Sequence, residues 1–226
     1  MGRLDGKVAV ITGAGSGIAR AAAKIFTREG AQVVVAELNP ELGAAAALEA
    51  GNNAIFVQTD VTDEASAEAV MQQAVEHFGG LHILFNCAGG SVLEDSKVTD
   101  VDMDVWERTI PLDLKGPFLC SRFGIPHIIA SGGGAVVNVS SVVALRGNHP
   151  AHVYSSAKGG LISLTRSLAG SYSDEGVRAN VICPGLIKTD RIKSRYVARK
   201  PSAERGGTVS VFESYPFGVG EPEDIA

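Results

Sequence analysis

Val8-Ala9-Val10-Ile11-Thr12-Gly13-Ala14-Gly15-Ser16-Gly17-Ile18-Ala19 is the stretch that decides the fold. Its first four residues are apolar without a polar alternation, the pattern of a strand covered on both faces. Gly13, Gly15 and Gly17 then form a turn, and a helical pattern follows from Ile18. Glycines at such a turn let the backbone pass close to a bound group. The N-terminus of the following helix carries partial positive charge that suits a phosphate. The spacing is not GxGxxG, because Ile18 takes the last glycine position when counting starts at Gly13. The turn therefore gains its meaning from the strand before it and the helix after it.

Working outward, short β-branched runs recur at 32–37, 54–58, 81–86, 135–140 and 177–183, in addition to 8–12. Helical patterns lie between them at 18–29, 40–50, 63–78, 104–130 and 153–173, and Gly30, Gly51 and Gly79 follow three of these. Such alternation predicts parallel strands joined by right-handed crossovers. The fold class is thus α/β: a Rossmann-type, doubly wound parallel sheet in three α/β/α layers. Pro111, Pro117 and Pro126 should kink or break the helix at 104–130. Residues 191–220 are charged, Gly-rich and weakly periodic, which suggests a mobile substrate loop or lid. No linker or repeat divides residues 1–226, so one domain for dinucleotide binding and catalysis is expected.

The bulk properties narrow the function. The 226 residues are 45% hydrophobic and 20% charged, ordinary values for a folded domain. A net charge of −5 without a basic run argues against nucleic acid as a partner. Cys87, Cys120 and Cys183 lack CxxC spacing and read as reduced, packed thiols. Arg3, Asp5 and Lys7 interrupt any secretory leader, Gly6 stands where myristoylation needs Ser or Thr, and no run is long enough to span a bilayer. A cytoplasmic protein with no membrane partner is the expectation.

The strand ends carry the polar candidates. Thr12, Glu37, Asp60, Asn86, Ser141 and Pro184 all fall at the carboxyl ends of expected strands, the edge where open α/β sheets bind ligands. Gly13, Ser16, Gly17 and Ile18 would face a pyrophosphate. Glu37 lies twenty positions beyond Gly17, where a carboxylate accepts from ribose hydroxyls and repels a 2′-phosphate. No cation at Ser16 or Leu38 would welcome that phosphate, so NAD is favoured over NADP. Asp60 can accept from the adenine amino group, with Val61 beside it, and the backbone of Asn86, Ala88 and Gly89 can pass the adenosine ribose. Asp and Asn also serve as ordinary turn residues, so each of these gains weight only from the shared edge.

Tyr154 and Lys158, four residues apart on one helix, share a face. Lowering a phenol from about 10 by about two units takes about 2.7 kcal/mol. An ammonium at roughly 4.5 Å supplies about 3.7 kcal/mol at an effective dielectric near 20. The same spacing is common in surface pairs, and Ser141 at the ligand edge is what points to chemistry, since its hydroxyl can hold a carbonyl or alkoxide oxygen. Pro184 and Gly185 form a rigid turn, and Ile187 and Thr189 can hold a nicotinamide carboxamide. His149 and His152 read as pocket wall or loop, since a metal site would need more grouped ligands, and no metal is expected. Trp106 reads as a packing residue, and Cys183 lacks a base that would make it a nucleophile.

TGAGSGIA, NCAG, the Ser141 step, YSSAK and PGLIKT occur in the order of the short-chain dehydrogenase/reductase superfamily, which the whole chain resembles. The resemblance implies an oxidoreductase interconverting a secondary alcohol and a ketone with NAD(H). Tyr154 would be the general acid/base, Lys158 would lower its pKa and hold the ribose, and Ser141 would orient the substrate oxygen. It further implies a homotetramer or homodimer, with helices 104–130 and 153–173 at one interface.

Three departures from the family pattern stand out. Ala19 replaces the motif's final glycine and would tighten cofactor packing. Asp113 stands where the family carries an asparagine of a water-linked proton relay; an ionised carboxylate accepts but cannot donate, and it can pair with Lys158. Residues 221–226 resemble the start of a helix that the family continues and follows with a last parallel strand, so that final edge strand is not expected here. Asp113 and the short ending favour a competing class, a weakly active or non-catalytic dinucleotide-binding protein such as a redox sensor or scaffold subunit. Ser141, Tyr154 and Lys158 together oppose it.

Overall fold

Strand β1 (Val8–Thr12) is buried along its whole length because its alternate side chains feed two separate cores. Val8 and Val10 join one cluster with Met71, Leu84 and Ile128, while Ala9 and Ile11 join another with Ala19, Ala22 and Ala23. An unbroken apolar run is what a strand covered on both faces requires. The computed structural model describes residues 2–198 and 218–226 of the chain.

Five further strands complete a parallel sheet in which β1 pairs with β2 and β4: β2 (Gln32–Glu37), β3 (Ala54–Gln58), β4 (Ile83–Asn86), β5 (Gly134–Val139) and β6 (Val177–Ile182). The sheet is open, ordered β3-β2-β1-β4-β5-β6. The winding reverses between β1 and β4, and that switch point opens a crevice at the carboxyl edge. Helices α1 (Gly17–Arg28) and α2 (Pro40–Ala50) cover one face. Helices α3 (Glu64–Phe78), α5 (Gly116–Ala130) and α6 (His152–Tyr172) cover the other. The expected α/β/α sheet is therefore present, with β6 as one edge among the described residues.

Element ends follow local polar chemistry. Asn39 accepts from the amides of Glu41 and Leu42 to start α2, and Asp63 accepts from Ser66 to start α3. The last two strands stop a residue earlier than their apolar runs, at Val139 and Ile182. Ser140 still donates its amide to the Ile182 carbonyl at 2.8 Å, but its hydroxyl turns to the Lys158 carbonyl, also at 2.8 Å.

The helix expected over 104–130 is two helices, α4 (Met103–Ile110) and α5, joined by a π-turn at Pro111–Lys115. Pro111 has no amide to close the regular ladder, and the Gly116 amide reaches back five residues to its carbonyl. Pro117 sits in the first turn of α5, directly after the π-turn, and α5 continues through Pro126. Only Pro111 coincides with a break. Of the expected loop at 191–220, residues 199–217 lie outside the described residues, and its beginning belongs to helix α7 (Asp190–Ala198). The final segment makes a 3-10 turn at Pro222–Asp224 with a Glu221/Asp224 capping box. Among the described residues, no helix is long and apolar enough to cross a membrane.

Leu84 in the centre of β4 is fully buried against α3 and α5. Leu84→Ala should cost about 3 kcal/mol of unfolding free energy, the range for an unfilled aliphatic cavity. Urea denaturation of the two proteins measures it directly.

Candidate active site

The carboxyl edge of the sheet borders a cleft of about 740 Å³. Its walls include Gly13, Ser16, Gly17 and Ile18 from the first turn, Glu37, Asp60 and Val61 from the next two strand ends, and Ala88 and Gly89 after β4. Ser141, Tyr154 and Lys158 line it at the other end, with Pro184, Gly185, Ile187 and Thr189 after β6. Two expected residues do not line it. Asn86 is buried and donates its amide to the Asn138 side chain at 2.9 Å, and Asn138 donates in turn to Thr165. The Asn86 side chain therefore braces β4 and β5 against α6, leaving only the backbone near the cleft. Asp113 lies behind the wall, fully buried.

The first turn is shaped by contacts that exclude side chains. At Gly13, with φ of +69°, a Cβ would sit 2.8 Å from the Ala88 Cα. Thr12 holds that neighbour in place, since its hydroxyl accepts from the amides of Cys87 and Ala88. Ser16, the residue before α1, makes no side-chain cap, so the first amides of α1 remain directed at the cleft. Glu37 spans the turn, accepting from the Gly15 amide with one oxygen and from the Asn39 amide with the other, each at 3.0 Å. Asp60 accepts from the Thr62 amide and hydroxyl, which fixes the turn after β3. A groove floored by glycines, with bare amides at its centre and a carboxylate at its end, fits a dinucleotide.

At the chemical end, α6 sets Tyr154 and Lys158 one turn apart, and the ammonium lies 5.6 Å from the phenol ring centre. Lys158 donates to the Val139 carbonyl at 2.9 Å and pairs with Asp113 at 3.0 Å. The same Asp113 oxygen accepts from the Gly90 amide at 2.8 Å, while its other oxygen has no partner among the described residues. The π-turn is what points this carboxylate inward. Burial pushes the Tyr154 phenol above its ordinary value, and Lys158 pulls it down. Asp113 opposes that pull, while Arg191 and the Ser141 hydroxyl assist it. The expected net lowering is thus not reached in this structure. Burial is the largest influence, and the Asp113 carboxylate, expected to be able to pair with Lys158, sits against the ammonium's charge.

Three contributors escaped the sequence. Asp95 accepts from the amides of Val153 and Tyr154 at 3.2 and 2.8 Å, capping α6 where Ala151 offers no side chain. The Val139 carbonyl anchors Lys158. Arg191 lines the cleft and donates to the Gly89 carbonyl at 2.8 Å. Asp95 stands far from the helix in sequence and carries no motif, so only the loop's proximity reveals it. His149 lines the cleft as expected, while His152 opens α6 and accepts from the Val98 amide outside the lining. Among the described residues, no group of His, Cys, Asp or Glu could hold a metal. Burial raises Cys87 to about 11 and Cys120 to about 12, so neither is a thiolate near neutrality.

The model of the short chain dehydrogenase family matches residues 7–199, most of the chain. The chain belongs to this family. As a short-chain dehydrogenase it is an oxidoreductase, and the family's enzymes take a nicotinamide dinucleotide, NAD or NADP. It is 38% identical to an uncharacterised oxidoreductase of Thermotoga maritima, over 99% of this chain and 86% of the relative. It is 36% identical to the cis-4-hydroxycyclohexanecarboxylate dehydrogenase of Sinomonas cyclohexanicum, over 93% and 88%. Identity to the meso-2,3-butanediol dehydrogenase of Serratia marcescens is 41%, over 83% of this chain and 74% of the relative.

The buried phenol of this dehydrogenase should ionise above 10 in the protein without cofactor. Ultraviolet difference titration should show a tyrosine step beyond the ordinary midpoint that disappears in Tyr154→Phe. A step below the ordinary midpoint would contradict the balance of burial over charge.

Proposed function

We propose that this short-chain dehydrogenase interconverts a secondary alcohol and a ketone with NAD(H), using Tyr154 as general acid/base. The observation that carries the reading is the convergence of Ser141, Tyr154 and Lys158 on one end of the dinucleotide-shaped cleft. The relatives named for a hydroxycyclohexanecarboxylate and a butanediol both act, by those names, on secondary alcohols. When bound, the nicotinamide ring supplies the hydride acceptor or donor.

In oxidation, the Ser141 hydroxyl holds the carbinol oxygen and the Tyr154 phenolate accepts its proton. In reduction the phenol returns that proton to the carbonyl oxygen. Lys158 stabilises the phenolate and reaches the ribose, and positioned proton transfer of this kind contributes roughly 10²- to 10⁴-fold to a rate. Glu37 favours NAD, because a 2′-phosphate would meet a carboxylate already fixed on Gly15 and Asn39. Asp60, Val61, Ala88 and Gly89 line the adenosine end, with Asn86 just behind them, and Ile187 and Thr189 hold the carboxamide. The reading also carries a single catalytic domain, a homo-oligomer built on α4, α5 and α6, and a cytoplasmic location.

One observation favours the competing reading of a weakly active nucleotide-binding protein: the Asp113 carboxylate that partly offsets Lys158. NADH formation over a panel of secondary alcohols separates the two. Activity should appear in the wild type and fall at least about 100-fold in Tyr154→Phe, the low end of acid/base contributions. NADH binding without turnover across the panel would support the nucleotide-binding protein instead.

Asp113→Asn keeps an acceptor for the Gly90 amide and the ammonium while removing the opposing charge. The acidic limb of the oxidation profile, on which Tyr154 must lose its proton, should move to lower pH, because Lys158 then acts on Tyr154 uncompensated. Identical pH–rate profiles in the two proteins would remove Asp113 from the mechanism.

A further inference from the structure

Arg191 is a cation brought into the cleft by the first turn of α7. Its guanidinium lies close against the Gly89–Gly90 backbone. It donates to the Gly89 carbonyl at 2.8 Å, and a Cβ on Gly90 would fall 1.9 Å from its Nη1. Gly90 has φ of +143°, so a glycine both permits this backbone and leaves the space. Gly89 adjoins the chemical end, where its Cβ would lie 3.4 Å from the Lys158 ammonium. The Arg191 charge reaches the Tyr154 phenol. Among the described residues Arg191 forms no ion pair, which leaves most of its five planar donors for a ligand.

The acids around it are already engaged. Asp113 is paired with Lys158, Asp95 caps α6, and Asp190 faces Lys193 at 3.5 Å. Arg146 adds a second positive charge on the same wall, and burial holds His149 toward its neutral form. Among the described residues Arg191 thus has no acidic partner of its own, although the chain as a whole carries −5. A guanidinium fork anchored through one nitrogen at the border of a cleft can recognise a planar carboxylate through paired hydrogen bonds.

We infer that Arg191 is a specificity-determining residue that binds a carboxylate on the substrate, so that the preferred alcohol is a hydroxy acid rather than a neutral alcohol. This rests on the dehydrogenase reading above. A cofactor phosphate is the other anion such a group could take. The uncapped amides of α1 and the glycine turn already serve that phosphate, whereas Arg191 is anchored beside Lys158.

The test compares 4-hydroxycyclohexanecarboxylate, its neutral carboxamide and cyclohexanol as substrates of the full chain, with wild type, Arg191→Gln and Arg191→Lys. The wild type should prefer the carboxylate. Arg191→Gln should lose roughly 10- to 100-fold in kcat/KM for the carboxylate alone, the worth of a charge-assisted hydrogen bond. Arg191→Lys should recover part of that loss, and NADH affinity by fluorescence should stay constant in all three proteins. Equal losses on all substrates with weakened NADH binding would assign the guanidinium to the cofactor phosphate and overturn the inference. Calorimetry of unreactive cyclohexanecarboxylate with the NAD-loaded proteins gives a readout independent of turnover. Binding to the wild type that Arg191→Gln abolishes supports the inference, and no binding to the wild type overturns it. Absence of turnover for every alcohol, with that binding intact, would sink the dehydrogenase reading while leaving the anion site standing.

Discussion

The ammonium of Lys158, almost wholly out of water, is the charge around which the chemical end is assembled. A buried cation is tolerated only when its donors are satisfied and its charge is compensated. The Val139 carbonyl and the Asp113 carboxylate do this, and each belongs to a different element. Through one side chain the end of β5, the π-turn and the middle of α6 are tied together. Asp113 extends the tie to the Gly90 amide, and therefore to the loop beyond β4. The compensation has a chemical cost, since the carboxylate that makes the lysine tenable also weakens its hold on Tyr154.

At the other end the constraint is one of space. Parallel strands deliver their carboxyl termini to a single edge, so turns from β1, β2, β3 and β4 crowd together there. Thr12 pins the turn after β4 against the glycine turn, and Glu37 clamps that same turn from the side. Close approach of backbone to backbone, held by these two side chains, shapes the groove.

Much of this was legible in the residues. The apolar runs revealed the strands because both sheet faces are covered, and the order of the motifs placed Ser141, Tyr154 and Lys158 on one edge. Asp113 stood out as a carboxylate in an asparagine's place, and its pairing with Lys158 follows from that. Other features depend on distance in three dimensions. Nothing in the sequence near Asp95 ties it to the start of α6, and Arg191 reads there as one charge among several in a weakly patterned stretch. The inward hydrogen bonds of Asn86 are a further example: its place at the strand end was legible, but the partners of its side-chain amide, Asn138 and then Thr165, lie far along the chain.

The widened turn at Pro111–Lys115 has a consequence for how the family's scaffold can vary. Each residue of a regular helix turns the next side chain by about 100°, so the extra residue that this turn accommodates sets the angular phase of everything before it relative to α5. Deleting one residue there would restore a regular ladder and swing α4 by more than a quarter-turn about the axis. Trp106 and its neighbours would then present different faces outward, while the inward acid would lose its lysine. The interior around Lys158 and the outer helical surface are thus geared to one another through five residues, and neither can be re-registered alone.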